Sequence, residues 1–176
     1  MPLLTRGFPS ACGDIPMPLI VEDGTGLPNA DSYVSVADCQ AYAAAHGLAF
    51  AGEEAALEAA LRNSALYLDG EYTYRGERAT DTQALEWPRT VATGVPREVV
   101  NACCELAARA LTGPLWQDVS STTAGAAIEK TVGPITTKYA SAAGARNDGQ
   151  TRYAGVAAML RRWLSSYGSS VKLVRC

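Results

Sequence analysis

The sequence is poorest in histidine. It has one in 176 residues, together with two phenylalanines and no Cys-x-x-Cys pair. A lone histidine excludes a multi-histidine zinc site and makes a histidine-dependent triad an unpromising expectation. His46 stands in AYAAAHGL, where it reads as the last turn of a helix, favourable to the helix dipole, with Gly47 as the stop. The five cysteines, Cys12, Cys39, Cys103, Cys104 and Cys176, are odd in number and suit reduced thiols better than a disulfide framework. No apolar run approaches the roughly 18 residues that span a bilayer. The opening residues lack the apolar stretch of about seven that a secretory signal needs, so no membrane partner is expected and the protein is expected inside the cell. GTG at 24–26 is followed by no Gly-Lys-Ser/Thr, so it is not a phosphate loop. Asp23 and Asp31 lack the spacing and closing glutamate of a calcium loop. The acids at 53–58 fall on the exposed side of a helix, and Asp118 and Asp148 sit in loops without a paired base. No catalytic residue, cofactor or metal is expected, and the chain is not read as an enzyme.

Alanine is abundant, 31 residues in all, and favours close-packed helices over sheets. The expected fold is mainly α: a small bundle of about four helices with a short β-hairpin, long loops and an extended C-terminal arm. The first helix is predicted over 36–46, because Ser35 and Asp38 have the spacing of a capping box. The second is predicted over 53–69, with Leu57, Leu61, Ala65 and Leu68 as one buried stripe and Gly70 as its end. Pro96 suits the start of a third, over 97–112, whose face is Val99, Cys103, Leu106 and Ala110, with Cys104 flanking it. Two short strands are predicted around Gly133-Pro134. A fourth helix is expected over 153–166, with Val156, Leu160 and Trp163 or Leu164 on one side. The tail VKLVRC alternates like a strand without a partner. These elements divide the chain into an N-terminal extension (1–18), a helical core (19–116), a loop with hairpin (117–152), and a C-terminal helix with tail strand (153–176).

Charge is unevenly spread. Residues 1–71 carry ten acids and two bases, residues 72–150 eight of each, and residues 151–176 five bases and no acid. An acidic end and a basic end can attract between copies or toward a partner. The most distinctive stretch, 71–96, gathers Tyr72, Tyr74, Arg75, Arg78, Trp87 and Arg89 close behind Tyr67. As a nucleic-acid platform, the rings would stack bases and the arginines hold phosphates. As structure, the rings would pack over an alanine-rich core and the arginines pair with Glu71, Glu77, Asp81 or Glu86. Because acids interleave with the bases throughout, packing or subunit contact is the favoured expectation.

Several strings carry a resemblance. LIVEDGTGLPNADSYVSVAD, then YLD followed by RGER and QALEWPR, then VPREVVNACCELAARAL, the VGPI hairpin and the tail SSVKLVRC together resemble a family of tailed-phage and prophage proteins. Members carry the label DnaT-like single-stranded-DNA-binding protein and are similar to head–tail adaptors, the head-completion or connector proteins. The resemblance runs from about Leu19 to Cys176, and residues 1–16 depart from the usual start, which Met17 would make natural. It implies a structural virion protein of the phage neck, assembled in the bacterial host cytoplasm. Its expected form is a homo-oligomeric ring, a dodecamer, beneath the portal protein. Genomic double-stranded DNA would pass through the ring without sequence-specific binding, and tail terminator, stopper or other tail proteins would dock on it. Interface positions expected on this basis are Arg75, Arg78, Trp87, Arg89, Glu129, Lys130, Ile135, Lys138, Val171, Lys172, Leu173, Val174 and Arg175. The alternative implied by the label is a single-strand-binding or primosome-type protein.

Overall fold

The computed structural model describes residues 17–116, 129–132, 135–138 and 153–165. Among them are four helices: α1 (Val36–His46), α2 (Glu54–Glu71), α3 (Arg97–Ala110) and α4 (Ala154–Leu160). Two strands, β1 (Glu129–Val132) and β2 (Ile135–Lys138), pair antiparallel, with Val132 opposite Ile135 and Glu129 opposite Lys138. The mainly helical class and the hairpin are as the sequence predicts. The tail from 166 onward, including the expected strand, lies outside the described residues.

Local chemistry sets the helix ends. Ser35 Oγ accepts the Asp38 N–H at 3.1 Å, and Gly47 closes α1 in the left-handed region at φ 69°. The α2 stripe is buried as expected at Leu57, Leu61, Ala65 and Leu68, joined by Ala60, Ser64 and Tyr67. Gly70 does not end this helix, which runs on to Glu71. A β-carbon at Gly70 would lie 2.8 Å from Cη2 of Trp116, so the glycine admits the indole rather than stopping the helix. α3 is shorter than predicted, because the N–H groups of Thr112 and Gly113 both turn back to the Arg109 carbonyl. It is also buried more completely. Val99, Ala102, Cys103, Cys104, Leu106, Ala107 and Ala108 are all interior, since α3 packs on α1, α2 and α4 together. Cys104 is therefore core rather than a flank. Burial pushes the Cys103 thiol up to about 12, beside Ser64 Oγ at 2.9 Å, so it sits there as a small apolar filler.

Residues 72–95 form a strap over this bundle. Its anchor is Trp87, which is 0% exposed and has edge-to-face contacts with Tyr74 at 5.5 Å and Trp163 at 5.4 Å. The Trp87–Pro88 bond is cis. In an alanine-rich core, burying an indole of roughly 200 Å² contributes about 5 kcal/mol before entropy, more than any neighbouring alanine can. α4 stops at Leu160, six residues short of the prediction, because the chain leaves the helix to pair with the strap. Arg75 N–H donates to the Trp163 carbonyl at 2.8 Å, and Ser165 N–H donates to the Thr73 carbonyl at 2.9 Å.

Candidate nucleic-acid interface

The strap consumes most of the expected aromatic and basic cluster. Tyr67, Tyr74 and Trp87 are interior, so their rings offer no face to a ligand. Arg89 is 8% exposed. Its guanidinium donates to the carbonyls of Arg75 at 3.0 Å, Gly76 at 2.6 Å and Glu86 at 3.3 Å, and to the Glu86 carboxylate. Trp87 and Arg89, expected at an interface, are thus core residues, because every strong donor of that guanidinium is engaged within the strap. Arg78 is exposed along its length, yet its head donates to the Gln83 carbonyl.

A carboxylate the sequence reading passed over ties the strap down. Asp69, near the end of α2, accepts from the Tyr33 hydroxyl and from Glu86 N–H at 3.0 Å. Tyr33 in turn accepts Glu86 N–H at 3.1 Å. Burial raises the Asp69 carboxyl to about 6 against the opposing pull of those two hydrogen bonds. A second one, Glu22, organises the opening turn: Oε1 accepts Gly24 and Gly26 N–H at 2.9 and 2.8 Å, and Oε2 accepts Leu27 N–H at 2.9 Å. Gly24 and Gly26 hold φ of 94° and 87°, which only glycine adopts freely. The hydrogen bonds that these carboxylates accept order the backbone, that of the strap at Asp69 and that of the opening turn at Glu22.

What remains at the surface is a cationic edge where α4 meets the strap. Arg75, Arg161 and Arg162 are exposed there. Arg75 is positioned by its Nε–H on the Leu164 carbonyl at 2.8 Å. Arg162 has a side chain 69% exposed and lies 4.6 Å above the Trp163 ring centroid. Trp163 is half-buried between Arg162 and Trp87, with its indole N–H on Glu98 at 3.2 Å. Glu98 also faces Arg162 at 3.8 Å.

A second surface gathers aromatic rings around buried Tyr67. Trp116 lies 5.1 Å away, Tyr153 5.5 Å and Tyr72 6.4 Å, and the Arg109 guanidinium sits 5.6 Å over Tyr153. Trp116, Tyr153, Arg109, Arg161 and Arg162 were not singled out from sequence as site residues. The one available signal was the absence of acids after 150. Of the other expected positions, Glu129, Lys130, Ile135 and Lys138 fall in the hairpin strands, and Val171, Lys172, Leu173, Val174 and Arg175 lie outside the described residues.

Among the described residues no helix is long and apolar enough to cross a membrane, and no group of three or more His, Cys, Asp or Glu could hold a metal ion. A small helical protein with exposed arginines beside aromatic rings is the class that these features define. Residues 17–176 match the sequence profile of the family described as "Putative DnaT-like ssDNA binding protein", and the chain belongs to that family. No curated protein and no solved structure matches the chain. The family match corrects the expectation of a head–tail adaptor. Its description names single-stranded DNA, not a connector ring, a portal or tail partner, or passing duplex DNA.

Proposed function

We propose that the protein binds single-stranded DNA as a binding module without chemistry of its own, and that Arg75, Arg161 and Arg162 hold the phosphates. The observation that carries this reading is the match of residues 17–176 to a family described by single-stranded-DNA binding. The cationic edge supports it physically. Guanidinium groups exposed on a packed turn neutralise phosphates and release counterions, which is the main source of affinity for a strand of unspecified sequence. The overall charge of -3 does not oppose this, because ten of the acids fall in residues 1–71, whereas Arg161 and Arg162 belong to the base-rich end.

The test is fluorescence anisotropy of a labelled oligothymidylate against the full chain at several salt concentrations. Three phosphate contacts give a log–log salt slope of about -2, a loss of roughly 20-fold in affinity from 50 to 200 mM. Replacing Arg75, Arg161 and Arg162 together by alanine is expected to flatten that slope while the far-ultraviolet dichroism stays unchanged. No binding at 50 mM salt, or an unchanged slope in the triple variant, overturns the proposal.

A further inference from the structure

Beside the aromatic group around Tyr67 lies an open groove of about 460 Å³. One wall is a stripe of α2 carrying Asn63 and Leu66, and the other is the chain from Ala110 to Trp116. This stripe points away from the core-facing side of α2, and Leu66 is 61% exposed on it. Trp116 is 38% exposed and, with Leu66, gives the groove two partly exposed apolar side chains. Its place is fixed from behind. The far edge of the indole rests over Gly70 where any β-carbon would collide, and Tyr67 packs against it. The ring is thus braced along one edge by α2, and it also lines the groove. Arg109 stacks on Tyr153 in this aromatic group and is ion-paired with Glu105 at 2.8 Å.

We infer that this groove takes an unpaired nucleobase of the bound strand, stacked on Trp116. The inference rests on the proposed single-strand binding and adds a base-contacting site to the phosphate-contacting edge. A partly exposed indole braced along one edge offers a surface on which any base can stack, whereas a cavity of this size accommodates one base without a closed, sequence-reading pocket. The groove has the volume for a base and its amide-bearing wall residue Asn63 can meet a base edge, and the family match to single-stranded-DNA binding supports a strand as the occupant over a peptide. The site is therefore expected to be tolerant of sequence and to require a base rather than a backbone alone.

The experiment compares an oligothymidylate with an abasic strand of the same length, using the full chain and its Trp116→Ala and Trp116→Phe variants. Loss of one stack is expected to weaken oligothymidylate binding about 5- to 150-fold in Trp116→Ala, with abasic binding and the salt slope unchanged. Trp116→Phe should recover most of the loss. If Trp116→Ala proves unfolded by dichroism, Leu66→Gln decides the matter, since that side chain is exposed and its replacement puts a neutral polar group on the groove wall where a base would pack. It should likewise weaken the base-bearing strand more than the abasic one. Equal weakening of both strands, or none in a folded variant, overturns the nucleobase site while leaving the binding function standing. Failure of the unaltered chain to bind either strand overturns the binding function itself. Replacement of the strand's effect by that of an apolar peptide competing for Trp116 also overturns the site.

Discussion

The strap and the cationic edge are built from the same kinds of residue and use them in opposite ways. In the strap, Trp87 is enclosed and Arg89 spends its donors on three carbonyls and a carboxylate. At the edge, Trp163 is only half-buried and Arg162 extends past it into solvent, held by a single 3.8 Å approach to Glu98. An arginine is available to a ligand to the extent that its own backbone surroundings leave its donors unused. Proximity in sequence to tryptophan does not decide this, since both arginines are within two residues of one.

That contrast can be broken at several points. The largest effect is expected from Trp87→Ala, which should lower unfolding free energy by about 3–5 kcal/mol in denaturant titration. A midpoint close to the parent's would show the strap to be loosely held. Next is the paired comparison of Arg89→Ala with Arg162→Ala. The first leaves buried carbonyls without a donor and should cost about 2–3 kcal/mol, allowing for the part of Glu86 that solvent reaches. The second should stay within about 0.5 kcal/mol yet reduce the salt slope of oligonucleotide binding by roughly one contact's worth. Equal stability losses would erase the distinction.

A separate contrast concerns pH. The Asp69 carboxyl is raised from the ordinary 3.8 to about 6, so the folded state binds its proton more tightly than the unfolded chain does. The stabilisation from that proton is complete below about 3.8 and is lost as pH rises through about 6. It amounts to no more than about 2–3 kcal/mol. Asp69→Asn should remove this dependence between pH 4 and 7, measured by denaturant midpoints across that window. A variant with the parent's full pH profile would assign the titration to another group.

How far the sequence carried depended on the range of the interaction. The start and end of α1 were readable because capping is local: Ser35 meets Asp38 three residues on, and Gly47 follows the last turn directly. The buried stripe of α2 was readable from periodicity alone. Gly70 was misread for the same reason. A glycine late in a helical pattern is usually a stop, and only the arrival of Trp116 from 46 residues downstream shows what its missing side chain is for. The end of α4 was misplaced because its competitor is the strap backbone, nearly ninety residues away. The ring around Tyr67 joins residues from α2, the strap, the segment after α3 and the start of α4, so no spacing rule could have assembled it.

Trp163 has a consequence for any ligand of the edge. Its indole is braced against Trp87 in the interior and held by Glu98 at its nitrogen, while Arg162 rides on its outer face. A strand arriving there meets an indole whose freedom was already surrendered when the protein folded, beside an arginine that extends into solvent. The ordering penalty that association ordinarily adds, about 0.5–1.5 kcal/mol per immobilised side chain, is thereby already met for the tryptophan before contact is made.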